Sequence, residues 1–194
     1  MSYKSWNKID DLIKTMRILE DDYSRTLNTC LEYGFVLELY DKHIDVVNKA
    51  NYFWAQVLCA LRYTFFMGLA RALDESNGAM GLKKILNKTE NEFQDDSIRS
   101  VIHEIRDEYE NKKKSISKIK YYRDRLLAHN DRKSYNNPDF PDVVMDDLLD
   151  DEVLHDSELI CRWCMNALRR LRRACGDDVP IGIEILNDIE SMFQ

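Results

Sequence analysis

The sequence predicts an all-α protein, and three observations carry that prediction. Six glycines and three prolines among 194 residues leave the many tight turns of a β-sandwich or barrel without their usual punctuation. Apolar residues recur at i, i+3, i+4 spacing along most of the chain, the mark of amphipathic helices. Apolar residues at 44% and charged residues at 32% suffice for one core and its coat, which excludes intrinsic disorder. The length suits a single domain over residues 1–194.

Between Ser5 and Ile44, Ile9, Leu12, Met16, Leu19, Tyr23, Leu27, Cys30 and Leu31 predict one long helix, or two that meet near Gly34. The stretch from Tyr52 to Leu73 is apolar around most of its circumference and long enough to raise a membrane span, but Arg62 in its middle makes that costly. A helix of this kind is central to a core or covered by a partner subunit, and Tyr63 is expected to be buried. Asp74 to Gly78 supplies turn formers before a short helix around Leu82 to Leu86. Asp95 and Asp96 ahead of Ser97 supply a cap and a first-turn charge for a helix burying Ile98, Val101, Ile102, Ile105 and Tyr109.

A kink is expected at Lys112, Lys113 and Lys114, after which Ile116, Ile119, Tyr122, Leu126 and Leu127 continue the helical period to about His129. The polar stretch from Asn130 to Asp151 contains Asn137-Pro138 and Phe140-Pro141 and reads as a loop, with or without one short helix. From Glu152 to Cys175 an amphipathic helix returns, with Leu159, Ile160, Trp163, Ala167, Leu171 and Ala174 on one face and Gly176 as its cap. Pro180 opens a last short helix from Ile181 to Phe193.

A net charge of -7 excludes binding nucleic acid through the whole surface and argues against a DNA regulator, while a local basic cleft stays open. Met1 to Asp11 carries charges and no apolar run, which predicts a cytoplasmic protein with no secretory signal and no membrane. Five cysteines in a reducing compartment are expected to stay thiols. Cys161-x-x-Cys164 has no second ligand pair at zinc spacing, so buried thiols are expected, with no metal and no cofactor. The run Arg169 to Arg173 reads as an ion-paired, solvated face, with Asp146 to Asp151 and Asp156 as its nearby acids.

The densest polar cluster is Tyr122-Arg123-Asp124-Arg125-Leu126-Leu127-Ala128-His129-Asn130-Asp131. Phosphoryl chemistry without a metal needs a group that moves a proton near neutral pH and a cation that stabilises charge on phosphate, roles suited to His and Arg. On ideal helical spacing, Arg125 and His129 share a face. Arg123 and His129 stand about 120° apart and roughly 9 Å along the axis. The structural alternative is a helix end whose arginines pair with local carboxylates.

Arg123 and His129, with five residues between them and Asp124 after the Arg, match the Arg-x(4 to 6)-His signature of the HEPN superfamily. The longer string of Arg123, Asp124, Ala128, His129 and Asp131 resembles the branch named for the AbiU abortive-infection proteins. Leu69-Ala70-Arg71-Ala72-Leu73-Asp74 and Gly81-Leu82-Lys83-Lys84-Ile85-Leu86 are similar to that branch's second block. The resemblance covers a motif-bearing core of about residues 50–135.

This resemblance implies an up-and-down helical bundle of the HEPN type, with extra N- and C-terminal helices, that pairs into a homodimer whose two motifs face one cleft. It implies metal-independent endoribonuclease activity, used as a toxin or defence effector and restrained in toxin-antitoxin pairs by an antitoxin partner. Arg123 and His129 are then the catalytic pair, with Asp124 and Asp131 in support. Tyr122, Arg125, Lys113 and Lys114 are candidate RNA contacts. The alternative is a non-catalytic helical domain whose cluster binds a nucleotide or a protein.

Overall fold

The computed structural model describes residues 3–76, 80–128 and 151–178, with side chains over 9–40, 42–45, 47–76, 80–121 and 153–178. Among the described residues seven helices follow one another: α1 (Tyr3–Lys42), the five-residue α2 (Ile44–Asn48), α3 (Asn51–Ala72), α4 (Leu82–Glu92), α5 (Asp96–Asn111), α6 (Lys113–Ala128) and α7 (Asp151–Ala174). No strand occurs among the described residues. The expected loop after Asn130 and the expected helix from Ile181 lie outside them.

The bundle is up-and-down. With α1 taken as pointing up, Tyr23 donates its hydroxyl to the Ala72 carbonyl and Thr26 meets Gly68, so α3 runs down beside α1. Arg17 pairs with Asp177, Cys161 donates to the Tyr23 carbonyl, and Gly34 lies against Leu154. By that register α7 also runs down. Glu90 meets Arg106, and Glu104 and Glu108 meet Arg170, so α4 runs down and α5 returns upward. Lys112 closes α5 and α6 begins at the next residue, packing on α3 and α7 more than on α5. It therefore continues upward, towards the end of the bundle where α3 and α7 begin.

Local chemistry explains the boundaries. Asp95 caps α5 by accepting from the Ser97 backbone N–H at 2.7 Å, a contact typically worth about 1 kcal/mol. At the end of α7, Gly176 has a φ of 85°, the left-handed conformation that favours glycine. Its N–H reaches the Arg173 carbonyl while that of Asp177 reaches Arg172, completing a Schellman cap. Gly34 does not divide α1: a side chain there would only touch Leu154, and the helix passes through. The expected short helix after Gly81 extends to Glu92, with Thr89 buried and bonded back to the Ile85 carbonyl.

The core joins Leu12, Met16, Tyr23 and Leu27 of α1 to Phe65 and Leu69 of α3, Ile102 and Ile105 of α5, Ile116 and Ile119 of α6, and Ile160, Cys164 and Leu168 of α7. The N-terminal helix is thus a central member of the bundle. Gly68 lets α3 approach α1 closely, since any side chain there would collide with Thr26. Two expectations are corrected. Tyr63 is 52% exposed, because only the C-terminal half of α3 is well covered. Leu159 is 48% exposed, because it lies on the solvent side of the α7 stripe.

Candidate functional site

The site must be built from α6, which carries most of the sequence-marked residues. Ile116 and Ile119 are buried and fasten its first half to the core. One turn further on, Lys120 reaches Glu75 at 2.9 Å. The same carboxylate accepts from the Tyr109 hydroxyl at 2.7 Å and from Lys83 at 3.0 Å. Glu75 therefore ties together the end of α5, the start of α4 and the middle of α6. Hydrogen bonds from Lys120, Tyr109 and Lys83 hold its carboxyl down at about 2.

A group whose acidity is raised by folding stabilises the native state above its unfolded pKa and loses that contribution as pH falls through its folded value. For Glu75 the window runs from its ordinary 4.5 down to about 2. Glu75→Gln is expected to lower the urea midpoint at pH 6, with the difference from wild type shrinking as the pH is taken down through that window. A constant difference down to pH 2 would mean that the carboxylate's charge is not what holds the three elements.

Tyr122, Arg123, Asp124 and Arg125 occupy the last two turns of α6, where the backbone is described and the side chains are not. His129 and Asp131 lie outside the described residues. Lys113 and Lys114 stand on the first turn, about 15 Å along the axis from Arg123. Lys113 pairs with Glu110 at 2.8 Å, which raises its pKa, and Lys114 is exposed. Nearby, the Lys112 ammonium sits 5.9 Å from the Trp163 ring centroid, so two of the three lysines have partners within the fold.

The other sequence signals resolve into architecture. Cys161 and Cys164 are buried thiols; burial raises Cys161 to about 12 and lifts Cys164 well above the ordinary thiol value, so neither is a thiolate near neutral pH. Among the described residues, no group of three His, Cys, Asp or Glu side chains is placed to hold a metal ion. His43, His103 and His155 are exposed. A groove between α1 and α4, lined by Asp11, Leu12, Thr15, Lys88 and Glu92, contains no residue of α6.

The basic run of α7 is ion-paired, with Glu20, Glu104 and Glu108 from distant helices and with Asp177 and Asp178 just beyond the run, not with Asp146 to Asp151 or Asp156. Arg169 meets Glu20, Arg170 meets Glu104 and Glu108, Arg172 meets Glu20 and Asp177, and Arg173 meets Asp178. Arg172 is also not solvated: it is 1% exposed. The sequence reading had no signal for Glu20 or Glu75, because each is an ordinary acidic residue on a helix or in a turn until tertiary packing assembles its cations.

No curated protein and no solved structure matches the chain. A family model described as AbiU2 matches residues 36–173, from the end of α1 through nearly all of α7. That span reaches further on both sides than the two blocks of resemblance, and it includes α6 with its arginines and the position of His129. The chain belongs to the AbiU2 family of HEPN proteins.

Proposed function

We infer that the chain is a metal-independent endoribonuclease of the HEPN type, working as a toxin or antiviral defence effector in the cytoplasm. The observation that carries this reading is the family match over residues 36–173, together with a helix, described as far as Ala128, that carries Arg123 and Arg125. The chain acts as one domain and as a homodimer, with the two α6 ends facing a shared cleft and an antitoxin as the partner that restrains it.

In this reading, His129 takes the proton of a ribose 2′-hydroxyl, the 2′-oxygen attacks the adjacent phosphorus, and the bond to the 5′-oxygen breaks. A protonated imidazole, from the same or the paired subunit, returns a proton to the leaving oxygen. Arg123 stabilises the charge that builds on the phosphorane. Asp124 and Asp131 orient the pair, and Tyr122, Arg125, Lys113 and Lys114 hold the RNA. DNA is spared because it lacks the internal nucleophile.

The test is incubation of the purified protein with cellular RNA in excess EDTA, with DNA of matching sequence in parallel. Cleavage of RNA alone, leaving 2′,3′-cyclic phosphate and 5′-hydroxyl ends, is the expected result. Cleavage that EDTA abolishes would overturn the mechanism, and a folded protein that binds nucleotides without cutting RNA would favour the binding-domain alternative.

A further inference from the structure

Lys112 closes α5 and α6 begins at the next residue, so the rotation of α6 about its own axis is set by what that helix touches. Ile116 and Ile119 are buried in the core, but apolar burial is non-directional. Fixing a rotation calls for a contact with a preferred direction, and Lys120 supplies one. Its ammonium donates to Glu75 at 2.9 Å, and its side chain is 28% exposed.

The acceptor stands on a firm base. The Glu75 oxygen that meets Lys120 also accepts from the Tyr109 hydroxyl, and the other oxygen accepts from Lys83. Tyr109 is itself buried, its ring 6.0 Å from that of Trp163 and 5.8 Å from the Lys83 ammonium. The chain around Glu75 is equally constrained. Asp74 accepts from the Ser76 backbone N–H at 2.8 Å, and a side chain at Gly81 would collide with the carbonyls of Ala72 and Asp74, so this turn is pressed against the start of α4. Ion pairs as exposed as these add little to stability. What three donors on one carboxylate supply is position.

Position 123 follows Lys120 by three residues and Ile119 by four, so it falls one turn further along the same side of α6, about 4.5 Å beyond Lys120 on the axis. Any turn of the helix that draws Lys120 away from Glu75 carries position 123 with it. We propose that Glu75, acting through Lys120, is a positioning residue for the motif of α6, fixing the rotation of the helix that carries Arg123. The inference rests on the ribonuclease reading above and adds to it a residue outside the Arg/His signature. A misplacement of about 1 Å far from the chemistry can cost about 100-fold in rate, so a modest contact can have a large catalytic effect.

The test compares the full chain with Lys120→Met, Lys120→Arg and Lys83→Met, by RNA cleavage in EDTA and by amide hydrogen exchange along α6. Lys120→Met is expected to lower kcat by at least about 10-fold with KM nearly unchanged, and to speed exchange over residues 121–128. Lys120→Arg, which keeps the charge and a donor for Glu75, should restore most of kcat. Lys83→Met takes a donor from the same carboxylate without touching α6, and should leave both kcat and the exchange of α6 as in wild type. Equal losses of kcat in Lys83→Met and Lys120→Met would mark general loosening and overturn the proposal. A Lys120→Met defect confined to KM, with a weaker salt dependence of binding, would make Lys120 an RNA contact and overturn it too. A wild type that cuts no RNA overturns the ribonuclease reading, and exchange then decides the tie by itself: faster exchange in Lys120→Met alone upholds Glu75 as the anchor of α6, and unchanged exchange overturns it.

Discussion

His129→Ala is expected to reduce EDTA-resistant RNA cleavage by about 10²- to 10⁴-fold, the usual worth of a positioned general acid or base, with the dimer and helical content unchanged. An imidazole that exchanges the proton also predicts a rate profile that bends between about pH 5 and 8. The more discriminating comparison is between the two arginines of α6. On ideal helical spacing, Arg125 shares a face with position 129 at i, i+4 and Arg123 falls on another side of the helix. Only a site completed across two subunits makes Arg123 the better partner. Arg123→Ala is therefore expected to cost at least 100-fold in kcat, and Arg125→Ala less than 10-fold. Arg123→Lys should recover little, because an ammonium does not reproduce the planar guanidinium fork. Equal losses at 123 and 125 would remove the assignment of Arg123 and favour a site built within one helix.

What was legible in the sequence follows from the range of the interactions involved. Helical spacing and the Asp95 cap are local, so α5 could be drawn with its buried Ile98, Ile102, Ile105 and Tyr109, and the Gly176 cap was equally visible. Only the intermediate burial of Val101 departs from that face. Gly34 was ambiguous because a mid-helix glycine costs roughly 1 kcal/mol against alanine, and only the packing of Leu154 beside it shows that the helix runs on. All-round hydrophobicity in α3 could mean a core or a covered face. The helix divides between the two, with Phe65 and Leu69 buried and Tyr52 and Tyr63 open.

The candidate site was legible as residue types at a spacing, and α6 supplies the helix for its arginines as far as Ala128, while His129 lies outside the described residues. Its anchoring was not legible. Glu75 lies in a turn that reads as punctuation, and its partners Lys83, Tyr109 and Lys120 are 8, 34 and 45 residues away. The arginines of α7 teach the same lesson at longer range, since nothing in their own segment announces Glu20.

Glu20→Ala is expected to destabilise the protein by about 1.5 to 3 kcal/mol, the usual worth of a hydrogen bond to a charged group, because the buried Arg172 loses one of its two carboxylate partners. Glu20 and Arg172 are each 1% exposed. Arg172 donates to Glu20 at 3.1 Å and to Asp177 at 2.8 Å, and Arg169 donates to the other Glu20 oxygen at 3.0 Å. Removing the carboxylate leaves the buried Arg172 guanidinium with Asp177 as its remaining carboxylate and takes one partner from Arg169. Asp177, held by two 2.7 Å bonds from Arg17, keeps a partner in either case, so the loss falls on Arg172. Because replacing both members of a buried pair with apolar groups is often neutral, Glu20→Leu with Arg172→Met should recover most of the stability. Arg17→Ala, whose side chain is 44% exposed, should cost about 1 kcal/mol or less. Urea denaturation of the four proteins checks the order. If Glu20→Ala falls within 1 kcal/mol of wild type, Asp177 is by itself a sufficient partner for Arg172.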